Sequence, residues 1–143
     1  MTSWPDGAPG VVELPDGRRV RAAALQATRA GVPDPHLHLV LLGREPGPLP
    51  WPVRWVRWPD FRRPADTAQA LAALQDAHAR SLTERVEVSC RGGVGRTGTA
   101  LAALAVLAGL PPGESVAWVR GRHHPRRPVE VQVTAAEVRI IED

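Results

Sequence analysis

The chain has 143 residues, of which 43% are hydrophobic and 23% charged, values ordinary for a single globular domain. Its 18 basic residues are all arginines and exceed the acidic residues by only three. Such a small excess does not favour a nucleic-acid-binding protein, which would concentrate basic charge on one face. The longest apolar stretch, residues 100–110, is too short to cross a bilayer, and residues 1–10 do not resemble a signal peptide. We therefore expect neither nucleic acid nor a membrane as a partner.

Cys90 is the single cysteine of the chain. One cysteine excludes an intramolecular disulfide and is typical of a protein in a reducing compartment. The expected location is therefore the cytoplasm, and the expected state is a monomer.

The first half of the chain predicts mainly strands. Residues 11–22 predict two short strands joined by a Pro-Asp-Gly turn. Two further strands are predicted at residues 36–43 and 53–58, and a proline-rich loop at residues 44–52 separates them.

The second half predicts one more strand and four helices. The strand covers residues 84–89, directly before a glycine-rich segment. The helices are predicted at residues 65–82, from the glycine-rich segment to about residue 110, at 113–122 and at 134–143. This order predicts an α/β fold with a central, mainly parallel sheet flanked by helices. We expect one domain over residues 1–143, with residues 1–35 as an accessory hairpin and loop.

The glycine-rich segment reads SCRGGVGRTG over residues 89–98. Its four glycines, Gly92, Gly93, Gly95 and Gly98, allow positive φ angles and close approach to a ligand. Backbone N–H groups in a tight loop before a helix converge on one point and attract an anion there. The sequence therefore predicts a phosphate cradle built from Arg91, Gly92, Gly93, Val94, Gly95 and Arg96.

Cys90 is placed to act as a nucleophile at this cradle. The N–H donors and nearby arginines are expected to stabilise its thiolate, which could attack phosphorus. Arg96 can hold two phosphate oxygens with its planar guanidinium group. The hydroxyl of Thr97 can stabilise the sulfur when it leaves the covalent intermediate.

Other glycine loops fit less well. A nucleotide-binding loop requires a lysine, and the chain has none. Gly93, Gly95 and Gly98 have dinucleotide-binding spacing, but no acidic residue follows about twenty positions later at a strand end. A rhodanese-like sulfurtransferase also joins a cysteine to an arginine in a loop, but its ring closes one residue sooner.

Cleavage of a phosphate ester also requires an acid to protonate the leaving oxygen. Asp60 follows a predicted strand and is flanked by prolines, 30 residues before Cys90. Asp66 stands at the start of a predicted helix and is interpreted as its N-cap. Asp60 is therefore the predicted general acid.

The eight residues from Cys90 to Thr97 resemble the C-x5-R-[ST] signature of the cysteine-dependent protein tyrosine phosphatase superfamily, and Trp58–Asp60 resembles its general-acid loop. The spacing of 30 residues between Asp60 and Cys90 is similar to that in small, dual-specificity-like bacterial members of the superfamily. The resemblance implies hydrolysis of a phosphorylated protein or a small phosphate ester, with no metal or other cofactor, and a phosphocysteine intermediate.

Four residues differ from the family pattern or leave their roles open. Ser89 stands where the superfamily usually has a histidine, so a phosphate-binding module without turnover is one alternative; the sulfurtransferase is another. Gln132 is a candidate for the glutamine that positions the hydrolytic water. His123 and His124 have no acidic or cysteine partner at ligand spacing, so they are interpreted as surface histidines.

Overall fold

The computed structural model describes residues 3–59, 62–123, 130–133 and 138–141, and a five-stranded sheet forms its centre. The strands are β1 (Val11–Glu13), β2 (Arg19–Ala24), β3 (Leu37–Leu42), β4 (Val53–Arg57) and β5 (Val86–Cys90). Their order across the sheet is β1-β2-β5-β3-β4. β2, β5, β3 and β4 run parallel, and only β1, the first strand of the N-terminal hairpin, is antiparallel to its neighbour. The predicted α/β fold with a mainly parallel sheet is confirmed.

Three helices follow the predicted pattern. They are α1 (Thr67–Arg80), α2 (Gly95–Leu107) and α3 (Ser115–Arg122), and a short 3-10 turn at Pro112–Glu114 leads into α3. Asp66 caps α1 as predicted, because its Oδ1 accepts a hydrogen bond of 3.0 Å from the backbone N–H of Gln69.

The prediction of a terminal helix at residues 134–143 is wrong. The structure has an antiparallel pair there, β6 (Glu130–Val133) and β7 (Val138–Ile141), which lies against the helices rather than in the main sheet. The alanines and glutamates of this segment suggest a helix. Valine and isoleucine, however, favour strands because their branched Cβ atoms fit a pleated surface, and a neighbouring strand was available to pair with them.

The two faces of the central sheet differ in polarity. Leu37, Leu39 and Leu41 of β3 point to the apolar core shared with α1, α2 and α3, and so do Val88 and Cys90 of β5. Residues between them, such as His38 and Ser89, point to the opposite face because successive strand residues alternate. That face is covered by loops, and it buries a polar cluster described below.

The N-terminal hairpin belongs to the central sheet. β2 pairs with β5 from Arg21 to Ala24, with Ala24 opposite Cys90 at the end of both strands. Within the segment expected to be accessory, β2 therefore pairs with one edge of the strand that carries Cys90. In the part of the chain that the structure describes, no helix is long and apolar enough to span a membrane.

Candidate active site

Cys90 is the last residue of β5, and its side chain is 2% exposed. It faces the helices, where the backbone leaves the sheet and turns toward α2. Its carbonyl accepts a hydrogen bond of 3.0 Å from the N–H of Leu25, which ties the end of β5 to the residue that follows β2. The thiol is thus held at the carboxyl edge of a parallel sheet, where ligands of such folds bind.

The turn after Cys90 depends on one glycine. Gly93 has a φ of +70°, and a Cβ atom added there would lie 2.4 Å from the backbone N of Ala24. Any side chain at this position would therefore collide with β2. All four glycines of the segment allow a positive φ angle, but only Gly93 adopts one; Gly95 and Gly98 lie within α2. The loop therefore requires the left-handed backbone conformation only at Gly93, where it packs against β2.

α2 begins at Gly95, directly after this turn. The residue at its N-cap is Val94, whose side chain has no atom that can accept a hydrogen bond from the first helical N–H groups. Those groups and the N–H groups of the turn are the ones that the sequence analysis assigns to a phosphate cradle. Arg91 and Gly92 are exposed.

Arg96 connects this loop to the Trp-Pro-Asp segment. The Arg96 side chain is 8% exposed, and its Nη1 donates a hydrogen bond of 3.0 Å to the carbonyl of Trp58. Trp58 is itself buried, and its Nε1 donates to the carbonyl of Arg62. The two sequence motifs are therefore adjacent in the fold, as a shared site requires. Asp60, the predicted acid, lies outside the described residues.

Thr97 is fully buried in the first turn of α2. Its Oγ1 has no hydrogen-bond partner among the described residues, and Cys90 is one of those residues. The predicted contact between this hydroxyl and the sulfur is therefore absent here and stays a prediction for the reacting state. A buried hydroxyl without a protein partner is costly in free energy.

His123 contacts the glycine turn, and the sequence interpretation missed this contact. It is half-buried at the end of α3, and its Nε2 donates a hydrogen bond of 2.7 Å to the carbonyl of Gly93. The interpretation of His123 as a surface histidine is therefore wrong. No local signal could have revealed the contact, because it depends on where α3 ends relative to the turn. His124 lies outside the described residues, and Gln132 is placed in β6 opposite Arg139.

A buried polar cluster lies on the opposite face of β5. The carboxylate of Glu87 accepts hydrogen bonds from Arg21 at 2.9 Å and from Arg29 at 2.5 Å. The Nε2 of His38 lies 2.8 Å from the Oγ of Ser89 and 3.5 Å from the Oε2 of Glu87. Glu87, His38 and Ser89 are each no more than 1% exposed.

The charge of His38 follows from this burial. Burial is the main reason that the pKa of His38 is lowered to about 4; the carboxylate of Glu87 opposes this shift, and Arg29 and Arg21 reinforce it. His38 is therefore a neutral imidazole near neutral pH.

Comparison with known proteins supports a specific family. The family model described as protein-tyrosine phosphatase matches residues 46–124, more than half of the chain. The crystal structure of Tk-PTP in the active form superposes with a TM-score of 0.61 and 24% sequence identity, over 80% of this chain and 85% of that one. At this identity the likeness shows a shared fold. No curated protein matches the chain.

Proposed function

Because the chain belongs to the protein-tyrosine phosphatase family and is a protein-tyrosine-phosphatase-like hydrolase, we propose that it cleaves phosphate monoesters through a phosphocysteine intermediate on Cys90. The observation that carries the proposal is the meeting of three parts. Cys90 ends a central strand, Arg96 lies in the first turn of the next helix, and Arg96 binds the backbone carbonyl of Trp58 just before Asp60.

The reaction has two steps. In the first, the Cys90 sulfur forms a bond to phosphorus while the bond to the leaving oxygen breaks, and Asp60 gives that oxygen a proton. In the second, water attacks phosphorus, Asp60 takes its proton, and the sulfur–phosphorus bond breaks. Inorganic phosphate leaves and the thiolate is restored.

The remaining residues stabilise charge. The N–H groups of residues 91–96 surround the phosphoryl oxygens, and the guanidinium of Arg96 binds two of them. The hydroxyl of Thr97 donates to the sulfur as it leaves phosphorus. Neither step requires a metal or another cofactor, because the cradle supplies the positive field and Asp60 moves the proton.

The substrate is a phosphorylated molecule, and we propose a protein phosphotyrosine or a dual-specificity substrate. A panel of phosphotyrosyl, phosphoseryl, phosphoinositide and small-ester substrates ranks these classes by kcat/KM. The single cysteine also leads us to propose a cytoplasmic location. We further propose that the protein is a monomer. The family match gives no support to the two alternatives, a phosphate-binding module without turnover and a sulfurtransferase.

Substitution of the nucleophile tests the proposal directly. Cys90→Ser is expected to remove turnover of p-nitrophenyl phosphate while its affinity for inorganic phosphate stays within about threefold of the parent's, because the cradle is backbone. Arg54→Lys, on a surface ion pair with Asp76, is the matched control and should keep parental activity. A Cys90→Ser protein that turns over near the parental rate contradicts the covalent mechanism.

A further inference from the structure

Ser89 precedes Cys90 but points to the other face of the sheet. Its side chain is completely buried, and its hydrogen-bond partner is His38 on the neighbouring strand β3. Val40 of β3 is the residue directly opposite Ser89 in the strand register. His38 therefore reaches along the strand pair to contact the residue at the start of the turn.

The direction of the hydrogen bonds is set by Trp51. The indole Nε1 of Trp51 lies 3.0 Å from the Nδ1 of His38, and an indole nitrogen can only donate. Nδ1 must then be the acceptor, so the proton of the neutral imidazole is on Nε2. His38 consequently donates to the Oγ of Ser89. Trp51, His38 and Ser89 form a chain of aligned donors in which each bond strengthens the next.

The outer end of this chain is also fixed. The guanidinium of Arg29 lies 4.4 Å from the centre of the Trp51 ring, as in a cation–π contact. The same Arg29 binds Glu87 and the carbonyl of Pro33. A covering loop, the indole and β5 are thus linked by contacts that hold the imidazole in one orientation.

The neighbouring serine, histidine and glutamate do not form a second hydrolytic site. In such a site the carboxylate would bind the imidazole nitrogen remote from the serine. Here Glu87 approaches Nε2, the nitrogen that also contacts Ser89, and Trp51 occupies Nδ1. Both carboxylate oxygens are engaged by arginines, and no part of the group is accessible to a substrate.

We infer that His38 is a positioning residue for the Cys90 reaction, acting through its hydrogen bond to Ser89. The bond anchors Ser89, the residue of β5 directly before Cys90. The backbone then enters the glycine turn, and the sulfur faces the cradle, in one orientation. His38 thereby supplies from β3 an imidazole that the family usually has at the position of Ser89. The inference rests on the proposed function, because it assigns a role toward the Cys90 nucleophile.

Four variants separate this role from general stability. Ser89→Ala removes the acceptor. His38→Gln keeps a donor near Nε2, whereas His38→Asn keeps a polar group only near Nδ1. Val40→Ala is the matched control, because it loosens the same buried face without a polar contact. All are assayed well below their unfolding temperatures, with kcat and the inhibition constant of inorganic phosphate measured together.

Ser89→Ala and His38→Asn are expected to lower kcat about tenfold or more, with the inhibition constant of phosphate within about twofold of the parent's. His38→Gln should keep at least about a third of the parental kcat, and Val40→Ala should behave like the parent. Equal losses in His38→Gln and His38→Asn, or a comparable loss in Val40→Ala, overturn the inference.

The unmodified protein provides a second test. Nitrogen-15 NMR is expected to show His38 with its proton on Nε2, and a proton on Nδ1 overturns the inference even if the variants fail to fold. Failure of the proposed function is distinguishable, since it would appear as activity retained in Cys90→Ser.

Discussion

We assign different roles to the two aspartates at the start of the site region, which are six residues apart in the sequence. Asp66 caps α1, because its Oδ1 accepts a hydrogen bond from the backbone N–H of Gln69. Asp60 follows Trp58, whose carbonyl is bound by Arg96, so the segment that carries it approaches the glycine turn. The rate contribution of a general acid at this position should increase with the basicity of the leaving oxygen, because a more basic oxygen leaves less readily without a proton.

Asp60→Asn is therefore expected to slow hydrolysis of tyrosyl phosphate by roughly 10²- to 10⁴-fold and that of an activated aryl phosphate by clearly less. An activated phenolate leaves readily without a proton, whereas a tyrosyl oxygen does not. The alkaline limb of the pH–rate profile, which reports an acid that must stay protonated, should disappear. The dependence of the rate on the leaving group is measured from steady-state rates on a series of aryl phosphates whose leaving phenols differ in pKa.

Asp66→Asn is the matched control for this experiment. Asparagine is also a good N-cap, so the change should cost less than about 1 kcal/mol of stability and leave the leaving-group dependence unchanged. If Asp60→Asn slows good and poor leaving groups equally and the alkaline limb remains, the general acid is another residue.

Among the structural elements, α3 has a direct connection to the glycine turn. The Nε2 of His123 donates to the carbonyl of Gly93, and a trans peptide points that carbonyl and the next N–H in opposite directions. With its carbonyl held by His123, the peptide after Gly93 directs the N–H of Val94 away from α3. The end of the helix thus orients one N–H group that we assign to the proposed cradle.

We expect His123→Ala to lower kcat/KM by about tenfold, which corresponds to about 1.4 kcal/mol and is typical of one lost hydrogen bond. His123→Gln should recover most of the loss, because its amide can donate to the same carbonyl. Arg122→Ala is the control, since Arg122 contacts Trp118 within α3 itself. Identical rates for the alanine and glutamine variants at position 123 would show that the bond to Gly93 has no catalytic effect.

Elements with strong local signals could be predicted from the sequence, and those that depend on distant partners could not. Asp66 before a run of alanines and leucines predicts the start of α1, and the glycines after Cys90 predict the turn. The β6–β7 pair was missed because each strand is stabilised by the other. The contact of His38 with Ser89 was hidden for the same reason: it requires knowing that β3 lies beside β5.

At the scale of the whole molecule, the polar face of the sheet makes stability depend on pH. His38 is neutral in the folded protein down to a pKa of about 4, whereas an unfolded histidine takes up a proton near pH 6.5. Below about pH 6.5 the imidazole of His38 therefore binds a proton in the unfolded chain but stays neutral in the folded protein. The contribution of His38 is present above that pH and is lost as the pH falls toward 4.

The difference between these pKa values corresponds to a loss of roughly 3 kcal/mol in unfolding free energy from His38 alone between neutral pH and pH 4. Urea unfolding of the parent and of His38→Gln at several pH values isolates this term, because carboxylates elsewhere titrate in both proteins. The stability curves should converge as the pH falls from 6.5 to 4. Curves that stay parallel would mean that His38 accepts a proton as readily in the fold as in the unfolded chain.

Capture of the covalent intermediate tests the central claim most directly. Rapid acid quenching of the protein during turnover of an aryl phosphate, followed by peptide mass spectrometry, locates any phosphoryl group. Our account predicts one phosphoryl group on the peptide containing Cys90, at the thiol, and none in Cys90→Ser. A protein that is active while this peptide stays unmodified, and that carries the group on another residue, would contradict it.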